Sequence, residues 1–301
     1  MSGKNAGQDR KREKQARDLL RGAVDFHIHS APDVYPRILD DIEIARRAKR
    51  AGMAGVVLKS HVTITADRAQ IAGRMVGLPV FGGVALNWQV GGLNPWAVEC
   101  AAKLGACQVW MPTIHAANSL KHLNRLPVFA KSMPKGVKGI SIFRGDGGFV
   151  PELEPVLAGI AEQGMILGTG HLSPEEGLAL IAEAKKAGIK KIVVTHPMAR
   201  FVRYSLEQMR DALSRGASYL EFVLNDCSPR VGEPIPLEEF AAAIRAIGPA
   251  RIILATDSGQ VDNPPPVQMM AEYVGRLLEL GLPARAIRTM TATNPARILD
   301  L

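Results

Sequence analysis

A chain of 301 residues, 47% hydrophobic and 22% charged, is long enough for one large core or two modest ones. Its longest apolar runs, such as 56–58 and 252–255, fall far short of the roughly 20 residues that a membrane-spanning helix requires. The net charge of +8 would suit a nucleic-acid partner, but about half of the excess lies in the first 21 residues, the rest reads as scattered, and aromatic residues are only 5% of the chain, which leaves few side chains for base stacking.

Residues 1–22 read as a basic helical arm, with seven Lys or Arg against three Asp or Glu up to Arg21 and no apolar stretch of the kind a secretory signal needs. From Val24 onward, short apolar or β-branched runs alternate with amphipathic stretches rich in Ala, Leu, Glu, Lys and Arg. Strands are predicted at 24–29, 55–59, 80–86, 108–111, 165–169, 191–195, 219–224 and 251–256. Helices are predicted at 40–51, 66–76, 95–104, 152–163, 174–187, 205–215, 236–247 and 266–280. Ser173-Pro174-Glu175-Glu176 has the form of a helix cap followed by Pro at the first position, and Gly52, Gly188 and Gly281 follow helix ends. Eight β-α units imply one α/β domain, a (β/α)₈ TIM barrel over 23–301. One interval breaks the rhythm. The fifty or so residues between the fourth strand and Met165 read as an enlarged loop over the barrel mouth, with room for an extra strand at 138–143.

In such barrels the reactive groups stand where strands end, because the βα loops converge on one open face. Six of the seven histidines fall there. His27 and His29 end the first strand, His61 follows the second, His115 the fourth, His171 the fifth and His196 the sixth; His122 lies elsewhere. Asp257 follows the eighth. Side chains at i and i+2 of a strand point to the same side, so His27 and His29 can reach one ion. Four imidazoles and a carboxylate on one ring make a divalent-metal site, with zinc the first choice and manganese or iron the alternatives. The three cysteines, Cys100, Cys107 and Cys227, match no zinc or redox spacing and read as packing residues of a reducing, cytoplasmic setting.

This arrangement resembles the amidohydrolase superfamily: His-x-His on strand one, His171 and His196 on strands five and six, Asp257 on strand eight, and a closing helix at Thr293-Asn294-Pro295-Ala296-Arg297-Ile298-Leu299. The segments from His29 to Arg37, from Val57 to His61, and Trp110-Met111-Pro112-Thr113 are similar to an uncharacterised amidohydrolase-like group within it. The resemblance implies a metal-dependent hydrolase in which activated water attacks an amide, lactone or ester of a small, possibly anionic molecule, in a homo-oligomer without nucleic-acid or membrane partners. Asp257 would relay the proton, with His196 assisting. In a binuclear form His27, His29 and Asp257 would hold one ion and His171 and His196 the other.

The bridging Lys or Glu expected at the end of strand four is absent, and Lys59 on strand two is the candidate to replace it if carboxylated. A salt bridge at the barrel mouth, or an amine that binds an acidic substrate, competes equally for Lys59. Arg37, Arg144, Arg200 and Arg203 lie in loops after strand ends. Arg37, His61, Asn87, His115 and Arg144 are the candidate substrate contacts. Three other readings share the sequence: a decarboxylase on the same metal, a phosphoesterase that also begins with His-x-His, and a non-catalytic barrel that binds metal or ligand. The phosphoesterase would need more carboxylates at strands five and six.

Overall fold

A computed structural model describes residues 12–125, 127–229, 231 and 233–301. The strands are β1 (Val24–His29), β2 (Gly55–Lys59), β3 (Val80–Ala85), β4 (Gln108–Trp110), β5 (Ile166–Gly168), β6 (Ile192–Thr195), β7 (Tyr219–Val223) and β8 (Ile252–Ala255), each within two residues of its predicted place. They pair in parallel and in chain order. A bridge between Ile28 and Ser258, with the His29 N–H donating to Ser258 O at 2.8 Å, joins β1 to the segment after β8 and closes the predicted (β/α)₈ barrel.

Alternation along each strand divides the apolar residues between two cores. Leu58, Val84, Val109, Leu167, Val194 and Leu254 face the helices. Val57, Ala85, Trp110, Ile166, Val193 and Ile253 fill the interior. Trp110 is the largest interior side chain, and the strands beside it make room: a Cβ on Gly83 or Gly168 would come within 2.6 or 2.8 Å of its ring. Beyond β8, helix α13 (Asn294–Leu299; helices are numbered from the one at 12–19) adds Ile298 and Leu299 to the interior core, while Asn294 Nδ2 donates to Pro249 O and Ile252 O. The expected closing helix therefore plugs the end where strands begin, leaving the opposite end for the site.

The outer helices comprise α2 (Asp41–Arg50), α3 (Ala66–Val76), α4 (Pro95–Lys103), α7 (Leu153–Glu162), α8 (Pro174–Lys186), α9 (Leu206–Ser214), α10 (Leu237–Ile247), α11 (Pro266–Glu279) and the short α12 (Ala284–Arg288). Ser173 and Glu176 form the capping box at the start of α8. Of the expected N-terminal arm, residues 1–11 lie outside the described residues; helix α1 at 12–19 packs on the barrel through Ala16 and Leu19, with Leu20 buried just beyond.

The long interval after β4 contains two short helices, α5 (Ala117–Lys121) and α6 (Pro127–Ser132), and no strand at 138–143. Ile140 and Phe143 make single bridges, to Ala116 and Phe149. The physical reason is the closed barrel: both edges of β4 are already occupied by β3 and β5, so an extra strand has no edge to join.

Candidate metal centre

The phase of β1 decides which side chains enter the barrel mouth. Val24 and Phe26 belong to the interior core, so strict alternation would turn His27 and His29 outward to the helices. Between Asp25 and Ile28 the register against β2 shifts by one residue, a β-bulge. Past the bulge Ile28 faces the helices, and His27 and His29 point inward. Closure against β8 then sets Asp257 beside them, its N–H donating to His27 O at 2.8 Å.

Asp257 Oδ1 lies 3.3 Å from His27 Nε2 and 3.1 Å from His29 Nε2. One ligand atom from each of the three falls within 4.8 Å of the others. His27 Nδ1 lies 3.2 Å from Glu221 Oε1 on β7, which holds the Nδ1–H and leaves the Nε2 lone pair, otherwise without a hydrogen bond, toward Asp257. Burial pushes His27 and His196 down to about 3, and His29 and His171 well below their ordinary range. All four are neutral near pH 7, the state a metal ligand requires. Asp257 (φ 50°) and His196 (φ 24°) sit in the left-handed region, strained turns that cost about 1–3 kcal/mol each and aim side chains back over the barrel mouth.

Lys59 ends β2 opposite His29 in the register and is almost completely buried, its Nζ without a hydrogen-bond partner 5.3 Å from the centre of the Trp110 ring. Burial lowers this amine to about 8, and the carboxylates of Asp257 and Glu221 pull it back up. His171 and His196 pack with ring centroids 4.8 Å apart, and His196 lies 6.0 Å from His27. The long interval reaches back to this pair: Ser119 Oγ is 2.9 Å from His171 Nδ1, and Asn118 Nδ2 donates to His171 O.

A cavity of about 260 Å³ opens above the cluster. Arg37, Lys59, His61, His171, His196 and Asp257 are among its lining. The Arg37 side chain is buried, with Nε and Nη2 both donating to Asp33 Oδ2 at 3.0 Å and Nη2 3.4 Å from His29 Nδ1. His61 Nδ1 is tied to Thr113 Oγ1 at 2.9 Å, and its ring packs against His29 and Phe129.

The other three expected substrate contacts are not among the lining residues. Asn87 is spent as a knot between strand ends, receiving the N–H of Thr113 and His115 and donating to His61 O. His115 is buried beside that knot, and Arg144 is exposed and paired with Asp146 at 3.0 Å. Arg200 lines the cavity and pairs with Glu239; Arg203 does not line it.

Glu221, Ser119 and Phe129 escaped the sequence reading. A signal existed only for Glu221, a lone carboxylate inside the apolar run Tyr219-Leu220-Glu221-Phe222-Val223.

Residues 22–221 match the model of a family of unknown function, DUF6282. No curated protein sequence matches. Solved structures superpose over nearly the whole chain. An amidohydrolase from Pseudomonas aeruginosa has a TM-score of 0.60 at 12% identity, covering 96% of this chain and 98% of its own. The probable dipeptidase PvdM from the same organism gives 0.60 at 13%, with the same coverage. An organophosphorus hydrolase from Deinococcus radiodurans gives 0.55 at 16%, over 94% and 93%. The fold is thus the amidohydrolase-like barrel that the motifs resemble.

Proposed function

From the premise that the chain belongs to the DUF6282 family, whose function is unknown, we propose that it is a metal-dependent hydrolase of small molecules. The observation that carries this reading is Asp257 Oδ1 set 3.3 and 3.1 Å from Nε2 of His27 and His29, with Glu221 behind His27 holding its other nitrogen. Buried neutral imidazoles around one carboxylate, with the His27 Nε2 lone pair free, fit a divalent cation, zinc first among them. Such an ion, when bound, lowers the pKa of water and polarises a carbonyl oxygen.

The chain's own residues do the rest. Asp257 Oδ2, 3.3 Å from Asn225 Nδ2, takes the proton from the attacking water and passes it to the leaving atom of an amide, lactone or ester. His196 donates a hydrogen bond to the attacking water or substrate in the one-ion form. In a two-ion form His171 and His196 would hold the second ion, and Lys59, if carboxylated, would supply the negative oxygen donors that two cations need. Arg37, fixed by Asp33, meets an anionic group of the substrate, and His61 forms part of the wall beside it. Cys100, Cys107 and Cys227 form no disulfide, which supports a cytoplasmic setting. Association of copies into a homo-oligomer belongs to the same proposal and is checked by sedimentation.

The test is elemental analysis of protein purified without chelator, followed by turnover of a panel of lactones, esters and amides. Bound transition metal, lost together with turnover in His27→Ala and Asp257→Asn, supports the reading. A protein that takes up neither zinc nor manganese, or a variant that keeps full activity, overturns it.

A further inference from the structure

Beyond the N-terminal arm, the basic charge that read as scattered lies in one stretch of the chain. Residues 116–150 carry six Lys or Arg against one Asp, a net +5. The first 21 residues carry a further net +4, so the barrel body is close to neutral. This basic segment lies at the mouth, since its Ser119 reaches His171 and its Phe129 lines the cavity. Lys121, Lys131, Lys135 and Lys138 are exposed, and none of them has an acidic partner among the described residues.

Large apolar side chains are exposed on the same face. Trp96 is 75% exposed, Val34 71%, Val261 52% and Trp88 45%. All four follow strand ends: Val34 after β1, Trp88 and Trp96 after β3, and Val261 after β8, where βα loops surround the open end of a barrel. Val261 lines the cavity, and Trp88 Nε1 donates to Lys138 O at 2.7 Å, which fastens the aromatic loop to the basic one. Exposed indole rings, aliphatic side chains and lysines around one open end suit the boundary between an anionic headgroup layer and its acyl chains. A second copy would bring a second +5 face against the first. Bases would find two aliphatic side chains among their four apolar contacts, which offer no stacking surface.

We infer that this mouth face docks on an anionic lipid surface, with the cavity opening onto the bilayer. Among the described residues no helix is long and apolar enough to cross a membrane, so the attachment is peripheral. The inference does not rest on the reading of the metal site.

The experiment is co-sedimentation of the full chain with phosphatidylcholine vesicles, with and without phosphatidylglycerol, at low and high salt, read together with tryptophan fluorescence. Trp110 is buried, so a blue shift on binding reports Trp88 and Trp96. Binding more than about tenfold stronger to the acidic vesicles, weakened by salt, is expected. It should fall by at least about that factor in Trp88→Ser/Trp96→Ser and in Lys131→Glu/Lys135→Glu/Lys138→Glu, whose circular dichroism and metal content should match the parent. Equal binding to both vesicles, no binding, or binding unchanged in the variants overturns the inference. So does a dimer that falls apart in the tryptophan variant, which would give this face to a second copy, or retention on single-stranded nucleic acid without retention on vesicles.

Discussion

Glu221 acts on the candidate metal through His27. Its Oε1 holds His27 Nδ1 at 3.2 Å, so it fixes which nitrogen is free and how the ring is turned. Burial raises Glu221 to about 8 against the pull of Lys59; Glu221→Gln keeps the size of the side chain but sets an amide against the imidazole in place of the carboxyl group, and it should weaken zinc binding by about 10–100-fold, measured by competition with a chromophoric chelator, while the folded spectrum persists. The pH dependence of zinc uptake follows from the same burial. An imidazole of ordinary pKa near 6.5 is about 90% protonated at pH 5.5 and must release that proton to bind metal. His27 and His196, held at about 3, carry no proton to release at either pH 7.5 or 5.5. The affinity of chelator-treated protein should therefore change by less than about threefold between those values, where an unshifted site would lose about tenfold per histidine. A steep fall near pH 6.5 would mean that the histidines are solvated.

At the scale of elements, the seam between β1 and β8 assembles the site. It depends on Gly259, whose φ of 130° few residues other than glycine adopt and where a Cβ would lie 1.8 Å from His29 O. Gly259→Ala must push the two strand ends apart. It should lower stability in urea by about 2–4 kcal/mol and loosen metal binding as His29 moves from Asp257. Gly145→Ala, in open space within the mouth loop, should leave both measurements unchanged. The bulge in β1 belongs to this scale too: His-x-His says that two imidazoles share a side, and the extra residue says which side.

In the whole molecule, stability and chemistry are divided between the two ends of the barrel. Ile298, 3% exposed, lies in the plug that closes the end where strands begin, far along the strands from Asp257. Ile298→Ala should cost about 2–4 kcal/mol in urea unfolding with metal stoichiometry unchanged, whereas His29→Ala should remove metal at a smaller cost in the stability of the metal-free protein. The same division explains why the largest insertion and the exposed tryptophans stand at the site end, where loops vary without disturbing the core.

Periodicity, caps and glycines located all eight strands and the eight principal helices, and with them the strand-end positions of His27, His29, His171, His196 and Asp257. Those signals are local: hydrophobic alternation, caps and glycines are written within a few residues of where they act. Asn87, His115 and Arg144 follow strand ends yet do not line the cavity, because distance from a strand end says nothing about which way a side chain turns or what it meets. Closure of the barrel decided the rest. It brought residue 257 against residue 27, paired Glu221 with an imidazole 194 positions away, and laid Ser119 and Phe129 from one insertion over the site. Contacts between residues so far apart in the chain are made by the geometry of the folded cylinder, and no local pattern encodes them.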